Sequence, residues 1–378
     1  MSPVGVAAGF RVLMVDSETT WRGGENQLLL LMRGLREAGE AEVELAAPPD
    51  AAITRRAAEI GVPCLPLPIR GGMDLVAARR LRDYFRRGRF ALVHCHASHA
   101  HGVAFLALAF SRLQRHRPPF LVVSRRVDFP FARRGPSTLK YRYGADLYLA
   151  ISTGVRDVLV QCGVAPERIA MVPSGIDLAR HRQLGETTRL RRELGLGSGA
   201  AVIGNVAALA PHKAQVDFVR AARLVADDLP EARFLLVGEG SERPRLEALV
   251  RELGLSAQVT LTGFRDDALQ ILSLFDCFVL SSTLEGLCTS IMDAQVLGVP
   301  VVATRAGGVP DLVQDGETGL LVPPREPSQL ATAILRLLRN PALRSRCVAA
   351  ARARSEQYGY QHMVQGTLAA YRGLLVAR

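Results

Sequence analysis

Residues 280–313 constrain the fold more than any other part of the chain. They start at the end of an apolar run, residues 278–280, and after a short polar turn the pattern predicts an amphipathic helix from Glu285 to about Leu297. A second apolar run, residues 299–303, follows and ends before a glycine turn at residues 307–308. Strand, helix and strand in this order form a βαβ unit, which predicts an α/β fold with a parallel sheet.

The turn that opens this predicted helix carries groups suited to an anion. A helix that starts at Gly286 and Leu287 presents backbone N–H groups without intrahelical partners, which suits a phosphate or diphosphate. Glu285 precedes these amides and Asp293 lies eight residues further on, so both carboxylates are expected on about the same helix face. We expect the carboxylates to bind hydroxyl groups while the amides hold phosphate. A solvated helix face is the alternative explanation.

Length and composition predict a globular protein of two domains. A single hydrophobic core stops growing at a chain length of about 250 to 300 residues. This chain has 378 residues. No run of uninterrupted apolar residues is long enough to span a bilayer, and the first residues lack the basic and apolar regions of a signal peptide. The six cysteines lie far apart without a C-x-x-C motif, so neither a zinc site nor a disulfide framework is indicated. We therefore expect a cytoplasmic protein.

The positive charge is concentrated in the first half of the chain. Residues 1–175 contain 24 Lys and Arg against 15 Asp and Glu, a net charge of +9, whereas residues 176–378 contain 23 against 21, a net charge of +2. Only 6% of residues are aromatic and no stacking motif is present, which argues against nucleic acid. An anionic membrane surface is the better prediction, and a solvated helix face remains the alternative. The basic clusters contain Arg79, Arg80, Arg82, Arg86, Arg87, Arg89, Arg112, Arg115, Arg117, Arg125, Arg126, Arg133, Arg134, Lys140 and Arg142.

Four histidines lie within eight residues, at positions 94, 96, 99 and 101. Such a cluster suggests a metal site, but the only other candidate ligand nearby in sequence is Cys95, and the spacing matches no zinc pattern. We therefore expect no metal here.

Glu285, Asp293 and the glycine turn at residues 307–308 together resemble a known pattern. An E-x7-E segment followed by a strand and a GG-x-P-E turn is typical of the donor-sugar site of the retaining family-4 glycosyltransferases. This chain is similar to that family, with Asp293 and Asp311 where the family usually has Glu. The resemblance implies the GT-B architecture, which is an α/β fold of two Rossmann-like domains with parallel sheets facing a central cleft.

The resemblance also implies the domain boundaries. The sequence PSGID at residues 173–177 matches the P-N-G-V/I-D hinge of the family, with Ser174 in place of Asn. We expect an acceptor-side domain over residues 1–173, completed by a C-terminal helix at residues 358–378 that crosses back to it. A nucleotide-sugar donor domain is expected over residues 174–357.

By resemblance, the donor is held by residues from several turns. Lys213 matches the phosphate-binding lysine of the family's G-R-L-x-x-x-K-G segment, although Ala208 and Ala214 replace its arginine and its final glycine. Loss of the arginine removes one bidentate partner of the diphosphate. Glu285 is expected to hold sugar hydroxyls and Asp293 the ribose diol. The other donor-binding candidates are Gly23 and Gly24, which precede Glu25 where relatives have a GG-x-E turn, Gly238 of a V-G-x-G turn, Phe264 where relatives hold the nucleobase, Gly286 and Leu287.

Acceptor contacts are expected in the first domain. The histidine segment resembles the H-x-H segment of the superfamily, which makes His96 and His99 candidates for contacts with the acceptor or the donor sugar. Ordinary histidines at a strand end are the alternative. Many family members have a histidine near the transferred sugar at about the position of Arg126. Arginine stays protonated and cannot act as a base, so Arg126 is expected to bind a phosphate or carboxylate on the acceptor. No general base is identified.

Together these features predict a retaining, metal-independent glycosyltransferase with Glu285, Lys213 and His96 as catalytic candidates and no cofactor. By resemblance, we expect a nucleotide-diphosphate sugar as the donor and a hydroxyl of a glycan or glycolipid as the acceptor, in lipopolysaccharide or exopolysaccharide assembly at the inner face of the plasma membrane. The sequence lacks Asp-x-Asp, the metal anchor of the other main transferase fold. Two alternatives stay open: a sugar-nucleotide epimerase of similar architecture, and a degenerate member that only binds a nucleotide or glycan.

Overall fold

The computed structural model describes residues 9–112, 118–127, 136–197 and 199–376. The chain divides into two compact units: unit 1 comprises Met1–Gly175 with Tyr360–Arg378, and unit 2 comprises Ile176–Gly359. Several arginines of the predicted basic clusters lie outside the described residues. They are Arg115, Arg117, Arg133 and Arg134.

Unit 1 alternates strands and helices along the chain. In its described residues the elements are β1 (Phe10–Val15), α1 (Gly23–Ala38), β2 (Ala41–Ala47), α2 (Ala52–Glu59), β3 (Cys64–Pro66), α3 (Leu75–Gly88), β4 (Leu92–Cys95), α4 (Ser98–Arg112), β5 (Phe120–Arg125), α5 (Pro136–Tyr143), β6 (Leu147–Ala150), α6 (Thr153–Gln161) and β7 (Ile169–Met171). The strands form one parallel sheet in the order β3-β2-β1-β4-β5-β6-β7. The winding direction reverses between β1 and β4, and this switch point is where open α/β sheets bind ligands.

Unit 2 repeats the same design. Its elements are α7 (Leu178–Arg182), α8 (Thr188–Glu193), β8 (Val202–Val206), α9 (Gln215–Asp228), β9 (Arg233–Val237), α10 (Arg243–Glu252), β10 (Val259–Gly263), α11 (Ala268–Leu272), β11 (Cys277–Leu280), α12 (Thr289–Leu297), β12 (Val301–Thr304), α13 (Val309–Leu312), β13 (Leu320–Val322), α14 (Pro327–Arg339) and α15 (Pro341–Arg354). The parallel strand order is β10-β9-β8-β11-β12-β13, so the switch point lies between β8 and β11. The predicted α/β class with two Rossmann-like parallel sheets is confirmed.

Strands with apolar side chains on both faces account for the two cores. Every residue of β4, β11 and β12 is buried, as expected for parallel strands covered by helices on both sides of the sheet. Leu and Val of α1, α9 and α14 supply the helical halves of these cores. Short polar turns at the carboxyl ends of the strands are thereby left to carry the functional side chains.

The last helix, α16 (Tyr360–Val376), belongs to unit 1 and packs on α1. The two helices approach closely at Gly34, where an added Cβ would lie 2.4 Å from Val364 Cγ2. Arg33 donates to the Tyr360 hydroxyl at 2.9 Å, and that hydroxyl donates to Glu37 at 2.7 Å. This packing fixes the helix whose first residues are Gly23 and Gly24.

The helix predicted to open at Gly286 starts three residues later. α12 begins at Thr289 with Cys288 as its N-cap residue, so Gly286 and Leu287 lie in the preceding turn. Polar contacts hold this turn out of the helix, because Ser282 Oγ donates to Glu285 Oε2 at 3.2 Å and Gly308 N donates to Glu285 O at 2.8 Å. The prediction that Glu285 and Asp293 share one helix face is therefore wrong.

Within the described residues, no helix combines the length and the apolar character that a membrane-spanning segment requires.

Candidate active site

The four candidate turns of unit 2 lie side by side. Strands β10, β9, β8 and β11 are neighbours in this order, and the chain leaving them carries Phe264, Gly238, Lys213 and Glu285 in turn. A row of strand ends beside a switch point can hold an elongated ligand from end to end. The structure thus brings together four residues that are far apart in sequence.

An ion pair joins the two sides of this switch point. Lys213 Nζ lies 2.5 Å from Glu285 Oε2, with the two side chains only 16% and 9% exposed. Ser282 Oγ donates to the same carboxylate oxygen, and Ser281 Oγ donates to the Lys213 carbonyl at 3.0 Å. A shielded, hydrogen-bonded pair is strong and fixed in position, so the cation and the carboxylate point at one place.

The turn after Glu285 offers two unused backbone donors. In the described part of unit 2, the N–H groups of Gly286 and Leu287 donate to no acceptor. These amides lie outside α12, so the turn itself rather than the helix start presents them. Successive unpaired N–H groups beside a lysine form a suitable environment for a phosphate oxygen.

Asp293 points to a partner that the sequence did not reveal. Its Oδ1 lies 2.9 Å from Nε2 of His181, a residue of α7 that is 112 positions away. The Asp293 side chain is partly exposed, at 25%. Asp293 and Glu285 therefore belong to two separate polar groups of unit 2.

The fold explains the residue type at Gly238 but not at Phe264. A Cβ on Gly238 would lie 2.0 Å from the Ala207 carbonyl oxygen, and its φ of 144° is open only to glycine, so the fold itself requires this glycine. Phe264 is 65% exposed just after β10, and no packing accounts for an aromatic ring in that position. An exposed ring at a strand end suits stacking against a planar ligand.

Ala214 occupies a backbone conformation that favours glycine. Its φ is 47° and its ψ is 41°, in the left-handed region, where a Cβ is strained. The residue joins the short turn that carries Lys213 to the start of α9. The replacement of the family's glycine noted in the sequence thus has a structural cost at the base of the lysine turn.

In unit 1, α1 begins at Gly23 directly after an extended Arg22. A Cβ on Gly23 or Gly24 would meet nothing within 4 Å, so packing does not require glycine at either position. Glu25 is buried and accepts a hydrogen bond from Arg22 N at 2.7 Å. Burial raises the pKa of Glu25 above its ordinary value. The open space at the glycines is consistent with a ligand close to the backbone.

Asp16 is the buried carboxyl next to the unit 1 switch point. It follows β1 directly, is 2% exposed, and its Oδ2 has no hydrogen-bond partner in the described residues. Burial raises its pKa to about 7, and the nearby charge of Glu25 adds to this shift. A carboxyl that titrates near neutral pH is typical of functional sites.

Of the two histidines predicted to contact the substrates, His96 is half-buried and His99 is exposed. His96 N donates to Val15 O at 3.0 Å, which places His96 beside the end of β1, and burial holds the pKa of its ring well below the usual range. Its Nε2 lies 3.4 Å from Met14 Sδ; since a thioether only accepts, Nε2 carries the proton and Nδ1 keeps a lone pair without a partner in the described chain. His99 is exposed at the start of α4.

Arg126 follows β5 and is half-buried. Burial lowers its pKa to about 10, against the opposing charges of Glu25 and Asp16, so the guanidinium stays protonated near neutral pH. Its Nε has no partner in the described residues. Asp16 Oδ2, Ser17 Oγ, His96 Nδ1 and Arg126 Nε thus form a set of buried polar atoms left without hydrogen bonds at the ends of β1, β4 and β5.

The other two histidines of the sequence cluster serve the fold. His94 is fully buried between Tyr371 OH, at 2.6 Å, and Ser124 Oγ, at 2.9 Å. His101 lies 3.3 Å from the Gly144 carbonyl. Among the described residues, no group of three or more His, Cys, Asp or Glu side chains is arranged to hold a metal ion.

Two family models match the chain over most of these elements. Residues 21–180 match the model described as Glycosyltransferase Family 4, and residues 186–354 match the model described as Glycosyl transferases group 1. The chain carries two glycosyltransferase domains. The group 1 glycosyltransferase domain contains Lys213, Glu285 and Asp293, and the family 4 glycosyltransferase domain contains His96 and Arg126.

Similar proteins support the same assignment. The D-inositol 3-phosphate glycosyltransferase of Acidothermus cellulolyticus is 33% identical over 237 residues, which cover 60% of this chain and 52% of that protein. The alpha-D-kanosaminyltransferase of Streptomyces kanamyceticus is 29% identical over 318 residues, 75% of this chain and 80% of that protein. The chain matches about half of the length of the D-inositol 3-phosphate glycosyltransferases to which it is similar.

A solved structure shows the fold of the two glycosyltransferase domains. The crystal structure of HepE from Anabaena in complex with UDP-glucose aligns with a TM-score of 0.82 at 22% identity, over 97% of this chain and 100% of that one. This likeness, together with the two parallel sheets, establishes the GT-B fold expected from the sequence.

Three residues of the candidate site were not predicted from the sequence: Asp16, Glu25 and His181. An acidic residue directly after an apolar strand was a usable signal for Asp16. Nothing local marks His181, because its partner Asp293 is so distant in sequence. The scarcity of lysine was a further usable signal for Lys213, because only Lys140 and Lys213 among the 47 Lys and Arg residues are lysines.

Proposed function

We propose that the chain transfers a sugar from a nucleotide-diphosphate donor to a hydroxyl of a glycan or glycolipid, with retention of the anomeric configuration. The Lys213 and Glu285 pair at the unit 2 switch point carries this proposal, because it places a cation for the diphosphate beside a carboxylate for sugar hydroxyls. The donor complex of the similar HepE structure supports a nucleotide sugar as the ligand.

In this proposal the turns at the strand ends, together with Asp293 on α12, each bind one part of the donor. Phe264 stacks on the base and Asp293 accepts from the ribose. Lys213 and the amides of Gly286 and Leu287 bind the diphosphate, while Glu285 accepts from the sugar hydroxyls. The ammonium group of Lys213 and the two backbone N–H groups are already in place, and they stabilise the negative charge that develops on the diphosphate as its bond to the sugar breaks. Because protein groups can supply this stabilisation, we propose a metal-independent reaction that needs no other cofactor.

The donor has to compete for Lys213. In the structure the lysine charge is offset by Glu285, so the incoming diphosphate takes over the ammonium while the carboxylate turns to the hydroxyls of the sugar. Donor binding and the ordering of Glu285 are thereby one event. A nucleotide without its sugar is expected to leave Glu285 without this second partner.

The acceptor binds at the unpartnered polar atoms of unit 1. An acceptor hydroxyl can donate to Asp16 Oδ2 or His96 Nδ1 and accept from Arg126 Nε, and each of these atoms lacks another partner in the described residues. His96 is neutral and can accept a hydrogen bond at Nδ1, but its lowered pKa makes it a weak base, whereas Asp16, with a pKa of about 7, can accept the proton of the hydroxyl. In this proposal Asp16 is the general base, which the sequence alone did not identify. His99, which is exposed at the start of α4, contacts a more distant part of the acceptor.

We also propose that unit 1 rests on an anionic membrane through α3. Three apolar side chains at the start of this helix, Met73, Leu75 and Val76, are exposed, and arginines follow on the same helix. Apolar side chains that enter the headgroup region and arginines that bind lipid phosphates are typical of interfacial helices. A cavity of about 590 Å³ next to the helix is lined by Arg86, Arg87 and Arg89 and suits a phosphate headgroup. A lipid-linked acceptor in envelope polysaccharide assembly, on the cytoplasmic face, fits this placement.

The donor part of the proposal is tested first by thermal unfolding with UDP, GDP, ADP, CDP and TDP. A nucleotide at 100 times its Kd adds about 2.7 kcal/mol to the free energy of unfolding, which gives a clear rise in Tm. The matching sugar nucleotide is then incubated with a glycolipid extract, and the anomeric coupling of the product is read by NMR. A Tm shift with one base and a product of retained configuration support the proposal; no shift with any base, or an inverted product, contradicts it.

A further inference from the structure

A buried histidine of unit 2 holds one of the proposed donor residues in place. His181 lies on α7, and its side chain is only 5% exposed. Its Nε2 lies 2.9 Å from Asp293 Oδ1, and its Nδ1 lies 3.2 Å from the backbone oxygen of Asp177. Both ring nitrogens are therefore engaged, and the ring cannot rotate without losing a hydrogen bond.

The chemistry of these two contacts fixes where the protons are. A carbonyl oxygen only accepts, so Nδ1 of His181 donates to Asp177. A single proton then lies between Nε2 and Asp293 Oδ1, so the carboxyl group is hydrogen-bonded to the ring through that oxygen. Oδ1 of Asp293 is consequently committed to His181.

The second oxygen of Asp293 is left for a ligand. Within the described residues Oδ2 has no hydrogen-bond partner, and the side chain keeps a quarter of its surface exposed. We infer that His181 is a positioning residue for donor binding, which holds the Asp293 carboxylate so that Oδ2 alone accepts a hydrogen bond from one ribose hydroxyl. This inference rests on the proposed function, since it assumes that a nucleotide occupies the site.

The hydrogen bond between His181 and Asp293 Oδ1 is expected to affect how the protein distinguishes the two ribose hydroxyls. A carboxylate with both oxygens free can accept from the two neighbouring ribose hydroxyls in a bidentate arrangement, one on each oxygen, whereas His181 engages Oδ1 of Asp293 and favours a single contact through Oδ2. The protein therefore discriminates strongly against loss of one hydroxyl and weakly against loss of the other. A side chain that only supported the fold would have no effect on this discrimination.

The experiment measures Kd by calorimetry for the ribonucleoside diphosphate (UDP, GDP, ADP or CDP) that gives the largest Tm shift and for its 2′-deoxy and 3′-deoxy forms. In the wild type, we expect one deoxy form to bind about 10-fold more weakly and the other to bind almost as well as the parent nucleotide. His181→Phe keeps the ring volume but has no donor, and is expected to abolish this difference. His181→Gln can still donate to Oδ1 and is expected to retain part of it.

The control is His362→Phe, which changes an exposed histidine on α16 in unit 1. It should leave all three Kd values unchanged. If His181→Phe lowers Tm but keeps the ratio between the nucleotides, or if both deoxy forms bind equally weakly to the wild type, the inference is overturned while the proposed function stands. If the wild type binds none of the five nucleoside diphosphates, the proposed function fails and the inference fails with it.

Discussion

Lys213 Nζ lies 2.5 Å from Glu285 Oε2, across the point where the winding of the unit 2 sheet reverses. The pair joins the chain leaving β8 to the chain leaving β11, and both side chains are largely shielded from solvent. Buried ion pairs contribute little net stability, but removal of one partner leaves an uncompensated charge. The pair therefore links the stability of this region to its ability to bind an anion.

Single and double substitutions separate these two roles. Lys213→Met leaves the Glu285 carboxylate buried without its cation and is expected to lower the free energy of unfolding by about 3 kcal/mol. The double variant Lys213→Met with Glu285→Gln removes both charges and should recover most of that loss. Neither variant should bind a nucleoside diphosphate. Chemical unfolding and calorimetry measure the two effects, and a double variant that binds nucleotide would contradict the assigned roles.

Ala214 provides a test of backbone strain. Its φ of 47° costs an alanine about 1 kcal/mol, and glycine removes this cost, although it loses more entropy on folding. Ala214→Gly is therefore expected to raise the free energy of unfolding by about 0.5 kcal/mol. The matched control is Ala210→Gly, four residues earlier, where φ is −128° and glycine should destabilise. Equal effects at both positions would rule out the strain.

Asp16 predicts an unusual dependence of stability on pH. Its pKa is about 7 in the folded protein and 3.8 as an ordinary aspartate, so the folded state holds the proton more tightly. Stability is therefore lost as the pH rises from about 4 to about 7, by up to about 4 kcal/mol. Asp16→Asn cannot lose a proton, so it should be more stable than the wild type at pH 8 and similar to it at pH 4. Unfolding curves at the two pH values check this, and a constant difference would contradict it.

The same variant should lose activity while it gains stability. If Asp16 contacts the acceptor hydroxyl, Asp16→Asn weakens transfer but leaves the Kd for the nucleoside diphosphate unchanged, because Asp16 is not among the residues proposed to bind the nucleotide. Stabilising changes at functional sites commonly lower activity in this way. An equal loss of nucleotide affinity would place Asp16 outside the acceptor site.

Two glycines distinguish a structural role from a binding role. Gly238→Ala would bring a Cβ to 2.0 Å from the Ala207 carbonyl at a φ of 144°, so it should lower the Tm by several degrees. Gly24→Ala adds a methyl group to open space and should leave the Tm unchanged or slightly higher. If the Gly24 turn lies against the donor, transfer should nevertheless fall about 10-fold. A Gly24→Ala enzyme with full activity would remove this residue from the site.

The order of strands and helices follows closely from the sequence, because each buried strand is a short apolar run between polar turns. The apolar runs near Leu280 and Val302 became β11 and β12, with a helix between them. The start of that helix was misplaced, because the contacts of Glu285 with Ser282 and with Gly308 of a later turn are long-range and leave no local pattern.

The candidate site was predictable only in part for the same reason. Lys213 and Glu285 could be singled out individually, but their contact depends on β8 and β11 being neighbours in the sheet. The partner of Asp293 and the burial of Asp16 are likewise products of tertiary packing. A sequence indicates the residue types at strand ends, whereas the fold decides which of them meet.

The most direct test of the donor site uses the scarcity of lysine in this chain. Lys140 and Lys213 are its only lysines, and Lys140 lies in unit 1, where it donates to Ser98 O at 3.0 Å. Acetylation with an amine-selective reagent, read peptide by peptide with mass spectrometry, therefore reports on the proposed diphosphate site with an internal control. We predict that the nucleoside diphosphate that raises Tm slows the acetylation of Lys213 at least several-fold and leaves that of Lys140 unchanged. Equal acetylation of Lys213 with and without that nucleotide would contradict the assignment of the donor site to Lys213 and Glu285.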